Sequence, residues 1–242
     1  MLTLHGVRKT FYDPGRGPVP AVDGITASAH GGVVAVVGAN GAGKSTLLRL
    51  IATLLVPDEG RITVAGLDVT KDPEGVRRHL GYLSTTTRLY PRLTGRELLR
   101  HIGGCYGLEG AALTEALDRQ VVNFALAGFL DQRLEGCSTG QLQRINLART
   151  LIADPPVLIL DEPTTGLDLV ASAQVVDAVR AARKTERLIL LCTHHLTEVE
   201  ACADRLWLLR DGKLAWDGAP ADLGTGAGLD AAVRAHLGLN SP

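Results

Sequence analysis

Eight consecutive residues, Gly38-Ala39-Asn40-Gly41-Ala42-Gly43-Lys44-Ser45, fit the pattern G-x-x-x-x-G-K-[ST]. Glycines at these places let successive main-chain N–H groups turn inward around phosphate oxygens, and a helix starting at the end of the run adds its positive dipole. Lys44 offers a fixed ammonium for β- and γ-phosphate charge, and Ser45 a hydroxyl of the kind that ligates Mg²⁺. Further on, the apolar run Val157-Leu158-Ile159-Leu160 ends in Asp161-Glu162. Asp161 is suited to hold Mg²⁺, directly or through water, and Glu162 to orient and deprotonate a water attacking a γ-phosphate. Because Pro163 and Thr164 follow, the acidic pair also fits the start of a helix.

Two further groups have ambiguous chemistry. Cys137-Ser138-Thr139-Gly140-Gln141 precedes a run with Leu142, Ile145, Leu147, Leu151 and Ile152 on a buried face. Ser138 and Gln141 have capping-box spacing, so a helix cap explains them; a capped helix end with free N–H groups is also an anion site. His194 follows the apolar residues 188–192, where an imidazole could reach the γ-phosphate or serve only structure, while His195 is expected to face away.

These residues need a scaffold, and the chain supplies one. Residues 33–37 form an apolar β-branched run ending in glycine, the pattern of a strand buried on both faces of a parallel sheet. Leu47, Leu50, Ile51, Leu54 and Leu55 then recur at helical spacing until Pro57, giving strand, glycine loop and helix in succession. Residues 13–20 (DPGRGPVP) read as a loop between two early strands. From about residue 88 to 153 the pattern turns helical, opened by a Thr94/Glu97 capping box, and residues 157–160 and 188–192 restore a βαβ rhythm. A helical subdomain is thus expected between two halves of one sheet. After Pro220 a glycine-rich stretch leads to a short helix over 229–239, with Leu229, Val233 and Leu237 in one stripe, packed on its own domain or against a partner.

Composition narrows the setting. The chain has 242 residues, with 25 Lys plus Arg against 26 Asp plus Glu, and no long basic run, which argues against nucleic acid as ligand. No apolar stretch is long enough to span a bilayer, and the N-terminal residues lack a signal-peptide layout; a cytoplasmic protein is expected, with any membrane role requiring a partner. Cys105, Cys137, Cys192 and Cys202 have no zinc or redox spacing and read as buried thiols.

Taken together, these motifs resemble the ATP-binding cassette superfamily, specifically the nucleotide-binding subunits of ABC transporters, over roughly residues 2–220. The resemblance implies an α/β fold: a P-loop NTPase (RecA-like) core with a mostly parallel sheet, an N-terminal antiparallel β subdomain and the inserted helical subdomain. It divides the single ATPase domain into 1–87 and 154–220 (core with β subdomain), 88–153 (helical signature subdomain) and 221–242 (tail helix). Gly38 to Ser45 correspond to Walker A, with Thr46 a further nucleotide contact, and Leu160 to Glu162 end Walker B. Cys137 to Gln141 correspond to the signature motif, Thr165 to Asp168 to the D-loop, and His194 to the switch histidine. By resemblance Glu162, His194 and Lys44 serve hydrolysis, Ser45 and Asp161 the metal, and Ser138, Gly140, Gln141 and Asp168 the nucleotide.

The same resemblance implies that two cassettes, this chain and a second copy or a similar chain, dimerise head to tail with ATP between them and drive a separate transmembrane permease. The stacking aromatic corresponds to Phe11, with Tyr12 as its neighbour; a core aromatic at a strand end is the other reading of Phe11. The signature carries Cys-Ser-Thr-Gly-Gln where the family commonly has Leu-Ser-Gly-Gly-Gln, and Thr85 stands where a metal-coordinating, partner-sensing glutamine is usual. Residues 84–108 look most like cassettes of two-component bacterial exporters for drugs or sodium. The alternative is a soluble ABC ATPase of DNA maintenance, translation or cofactor assembly, but no coiled-coil insertion, second cassette or basic surface is visible. A P-loop GTPase or kinase lacks support, since no N-K-x-D motif occurs.

Overall fold

A computed structural model describes residues 1–15, 17–84 and 87–238. The chain begins with strands β1 (Leu2–Asp13), β2 (Gly17–Ala29) and β3 (Gly32–Gly38), helix α1 (Lys44–Ile51), and strands β4 (Glu59–Val64) and β5 (Leu67–Asp68). Helix α2 (Pro73–Arg78) and strand β6 (Leu80–Leu83) follow. Then come three helices in succession, α3 (Gly95–Cys105), α4 (Gly110–Asn123) and α5 (Thr139–Leu151). The chain returns to alternation with β7 (Val157–Asp161), α6 (Leu169–Ala181), β8 (Leu188–Cys192), α7 (Leu196–Cys202), β9 (Arg205–Arg210) and β10 (Lys213–Gly218), and ends in α8 (Ala227–Leu237).

Two sheets result. The smaller is antiparallel, in the order β2-β1-β4-β5, and the larger has the order β10-β9-β3-β8-β7-β6, parallel except for β10. Alternation along the parallel strands explains the layering. Val34, Val36, Val157, Ile159, Leu188 and Leu190 point to one face, where they pack with α1 and the antiparallel sheet. Val33, Leu158, Leu160, Ile189 and Leu191 point to the other, beneath α3, α5 and α6. Strands covered on both faces must be apolar throughout, which is why residues 33–37, 157–160 and 188–192 lack a polar side.

Local chemistry sets the boundaries. Thr94 and Glu97 close a capping box on α3, with Glu97 N donating to Thr94 Oγ1 and Thr94 N to Glu97 Oε2. Helix α1 is shorter than the spacing of its leucines suggests: it ends at Ile51, and Thr53 enters the left-handed region (φ 60°), leaving Leu54 exposed outside the helix. The loop expected over 13–20 is narrower too, since pairing runs through Phe11↔Val19 and Tyr12↔Pro18 to Asp13↔Gly17. Strand β2 is the outer strand of its sheet, where prolines are tolerated.

Helix α8 lays Leu229, Val233 and Leu237 on Ala35, Val37, Leu206 and Leu208, so this stripe packs against its own domain; Leu239 lies outside the described residues. Of the four cysteines only Cys192 and Cys202 are buried. Cys105 is exposed at the end of α3, and Cys137, ahead of α5, is partly exposed while still packing against the core beneath the helices. Burial pushes the Cys202 thiol up to about 11 and raises Cys192 further, so both stay protonated.

Candidate functional site

The parallel strands deliver their loops to one edge. Strand β8 lies between β3 and β7, with Val36 and Asp161 both opposite Cys192, so the loops after Gly38, Asp161 and Cys192 emerge side by side. Ligands of open parallel sheets bind at this end.

The loop from Gly38 to Gly43 is shaped by close approach as much as by flexibility. Gly43, at φ 96°, immediately precedes α1, and a Cβ there would lie 2.0 Å from the Ala21 carbonyl oxygen of β2. Gly38 is as tightly placed: a Cβ would meet the Leu209 carbonyl oxygen at 2.4 Å. The Ala42 N–H closes the turn on the Ala39 carbonyl at 3.1 Å, and the Gly212 N–H donates to the Ala42 carbonyl at 3.2 Å. Lys44 is buried in the first turn of α1, its ammonium donating to the carbonyls of Gly38 at 2.7 Å and Ala39 at 3.1 Å. The ammonium is thereby fixed at the loop mouth.

Asp161 is 1% exposed and its Oδ1 has no hydrogen-bond partner among the described residues. Burial raises its carboxyl above the usual range, opposed by hydrogen bonds with the Cys192 thiol and the Ser45 hydroxyl, while Glu162 adds to the rise. Glu162 sits in the left-handed region at φ 48°, a conformation costing a non-glycine residue about 1–2 kcal/mol. The turn around it is tied down. Glu162 N donates to the Cys192 carbonyl at 2.9 Å, Thr165 N to the Glu162 carbonyl at 3.2 Å, and Thr165 Oγ1 to Glu162 Oε2 at 2.9 Å. His194 Nδ1 lies 3.8 Å from Glu162 Oε1, and His195 is exposed beside it with its ring tilted 41° to that of His194.

The second group forms a separate cleft lined by Ser138, Gly140, Gln141, Arg144, Gly166 and Asp168, without a described residue of the 38–45 loop. Ser138 and Gln141 make the full capping box on α5, so the structural reading holds, and the helix end also opens into the cleft. Asp168 caps α6, accepting from Ala171 N at 2.8 Å. Arg144 stacks on Phe129, with its guanidinium carbon 4.7 Å from the ring centroid. Phe11 is half-exposed on β1, opposite Val19 and two β2 residues from the Ala21 carbonyl that abuts Gly43. Thr85, in the glutamine's place, lies outside the described residues.

One buried carboxylate at this site gave no signal in the sequence. Glu198, in α7, accepts the Thr164 hydroxyl at 2.6 Å on Oε1 and the Thr193 hydroxyl at 2.7 Å on Oε2. An isolated acid in a short helical stretch has nothing to distinguish it until the fold brings the two threonines to it.

A glycine loop before a helix, carboxylates at the end of a buried parallel strand and a helical insertion define a P-loop nucleotide hydrolase. The family model described as ABC transporter matches residues 26–165. The chain is 35% identical over 221 residues to the ABC transporter ATP-binding protein NatA of Bacillus subtilis, covering 90% of this chain and 89% of that one. It is 37% identical over 209 residues to the daunorubicin/doxorubicin resistance ATP-binding protein DrrA of Streptomyces peucetius, covering 86% and 63% respectively. A solved ATP-binding subunit of an ABC transporter superposes with a TM-score of 0.86 at 28% identity, over 98% of this chain and 99% of that chain. A dimeric cassette bound to ADP and phosphate shares the fold, with a TM-score of 0.78 at 24% identity over 90% and 98%. The chain belongs to the ABC transporter family, as an ATP-binding and ATP-hydrolysing subunit.

Proposed function

We propose that this chain powers a two-component exporter. Two cassettes, this chain and a second copy or a similar one, would close head to tail on ATP and drive a separate membrane-spanning subunit at the inner face of the membrane. The observation that carries the reading is the division of the site. The 38–45 loop, Asp161, Glu162 and His194 share one sheet edge, while Ser138, Gly140 and Gln141 line a different cleft. A helix end that caps its own turn and opens away from its own phosphate loop completes a site only when a twin presents it. Closure then follows from binding, because the γ-phosphate touches the partner's helix end only in the closed state.

Within one half-site the roles follow from placement. Main-chain N–H groups from Gly38 through Thr46, reached past Ala39, Asn40, Gly41, Ala42 and Gly43, wrap the phosphates, and Lys44 balances their charge. Ser45 and Asp161 fit a divalent cation, since the Asp161 carboxyl lies against the Ser45 hydroxyl and its buried Oδ1 has no hydrogen-bond partner among the described residues. Mg²⁺ there would neutralise phosphate charge. Glu162 takes a proton from the attacking water, His194 holds the γ-phosphate, and Asp168 shapes the dimer side of the cleft. Phe11 stacks on the base. Residues 1–87 and 154–220 act as the catalytic core with its β subdomain, 88–153 as the helical subdomain and 221–242 as the tail.

No described helix is long and apolar enough to cross a membrane, in accord with a separate membrane-spanning partner. Export is supported by the names of similar chains: the daunorubicin/doxorubicin resistance protein DrrA and a Nod factor export ATP-binding protein of Bradyrhizobium diazoefficiens. The test is to capture the Glu162→Gln chain from membranes and to size it with and without Mg-ATP. ATP-dependent dimers and a co-purifying integral membrane protein are expected. A chain that stays monomeric with ATP and brings down no membrane protein would overturn the reading.

A further inference from the structure

We infer that Glu198 is a positioning residue for hydrolysis, clamping together the two loops that carry Glu162 and His194. The inference rests on the reading of Glu162 as base and His194 as γ-phosphate contact. Thr164 lies two residues after Glu162, and Thr193 immediately precedes His194. Both threonines are buried, at 4% and 1% exposure, and Glu198 between them is 7% exposed. Its two carboxylate oxygens are divided, one to each hydroxyl, at 2.6 and 2.7 Å. The Thr193 hydroxyl has a second bond, accepting from His195 N at 3.0 Å, so it also fixes the main chain that turns out of β8. Where the loops start, the Asp161 carboxyl bonds to the Cys192 thiol, and beyond that His194 approaches Glu162 at 3.8 Å, so the Glu198 clamp is the tie that reaches into both loops.

The clamp has something to hold. Glu162 keeps a left-handed backbone that a non-glycine residue leaves when its turn is free. The turn after it is fixed at Thr165 by Glu162 and at Thr164 by Glu198. Through Thr193 the same carboxylate sets where His194 departs from the sheet. Moving either loop by a fraction of an ångström changes the distance from base to attacking water, while the phosphate loop keeps its own ties, from the Lys44 ammonium to the Gly38 and Ala39 carbonyls and from Gly212 N to the Ala42 carbonyl. Misplacement by about 1 Å at a reacting group costs on the order of 10²-fold in rate. The clamp should therefore act on kcat and leave ATP affinity alone.

The experiment compares Thr164→Val, Thr193→Val, Glu198→Gln and Glu198→Ala in the full chain, with Thr164→Ser and Thr193→Ser as hydroxyl-keeping partners. Valine nearly matches threonine in shape and replaces the hydroxyl with a methyl group, so the valine variants remain informative where Glu198→Ala does not fold. The expected result is a fall in kcat of about 10- to 100-fold for each valine variant and for Glu198→Gln, with KM for ATP within about twofold of the parent. The serine variants should recover most of the rate. The double variant Thr164→Val/Glu198→Ala should lose no more than Glu198→Ala alone, because Glu198→Ala already breaks the tie to Thr164. An unchanged kcat in the valine variants overturns the inference, as does a loss that serine fails to restore, or one that appears only in KM. Glu162→Gln measured alongside separates the two readings. If it abolishes turnover while the valine variants turn over normally, the clamp alone fails; if it turns over normally, the base assignment fails whatever the clamp variants do.

Discussion

Glu162 Oε1 stands 3.8 Å from His194 Nδ1, the two side chains projecting from the ends of adjacent parallel strands. The separation is too long for a hydrogen bond and short enough for both groups to face one small reactant. A water held by the carboxylate and a phosphate oxygen held by the imidazole fit this placement. Glu162→Gln should lower hydrolysis about 10²- to 10⁴-fold while ATP still binds. His194→Ala removes one donor to developing negative charge and should cost about 10²- to 10³-fold. Phosphate release under saturating Mg-ATP, set beside equilibrium binding of the same variants, checks both.

Two glycines of the phosphate loop should differ in sensitivity. At Gly41 the backbone has φ 82° and no atom stands within 4 Å of the place a Cβ would take, so Gly41→Ala meets conformational strain alone, about 1–2 kcal/mol. At Gly43 the same change adds a collision with the Ala21 carbonyl oxygen, bringing the cost to about 2–5 kcal/mol. Thermal unfolding should rank Gly43→Ala well below Gly41→Ala. Nucleotide binding should vanish in the former, since the strand that crowds Gly43 also sets the start of α1.

How much of this could be read beforehand depends on whether a feature is local. Residues 33–37, 157–160 and 188–192 announce buried strands because both faces are covered, and the capping boxes at Thr94/Glu97 and Ser138/Gln141 are complete within four residues. Features that depend on distant partners stayed hidden. The end of α1 is decided by a left-handed Thr53 rather than by Pro57, and β2 runs through Pro18 and Pro20 because it is an edge strand. Glu198 gained meaning only when α7 brought it to threonines that are 34 and 5 residues away. Asp168 shows the converse, since a cap of α6 and a cleft residue look the same in the sequence.

Asp154 should make stability depend on pH in the acid range. It accepts hydrogen bonds from Lys184 and from Arg187, whose side chain is 4% exposed. Burial pushes its carboxyl upward, yet the bonds from Lys184 and Arg187 outweigh that and hold it below the usual range. A carboxyl lowered in the folded state adds stability that is complete above its unfolded value of about 3.9 and disappears as pH falls through the folded value. Asp154→Asn should cost about 1–3 kcal/mol at neutral pH, mainly by leaving Arg187 short of a charged partner. Asparagine tolerates the left-handed backbone at this position (φ 52°), so the charge is what changes. Urea titrations at several pH values should show the gap between variant and parent closing below about pH 4.

The two aromatics at the end of β1 separate by their surroundings. Phe11 is 42% exposed, opposite Val19, with the Lys9 ammonium 5.9 Å from its ring centroid. Tyr12, one residue nearer the turn, is 78% exposed opposite Pro18. A ring held from one side and open on the other is the better platform for a base. Removing such a platform costs about 1–3 kcal/mol per base, or on the order of 10-fold or more in affinity. Phe11→Ala should therefore raise KM for ATP about 10-fold or more, Phe11→Trp should keep it, and Tyr12→Ala should change it less than about twofold. Stacking reads no base edge, so GTP should weaken in parallel with ATP when Phe11 is removed. If Tyr12→Ala raises KM while Phe11→Ala leaves it untouched, the base lies higher on the hairpin and the assignment passes to Tyr12.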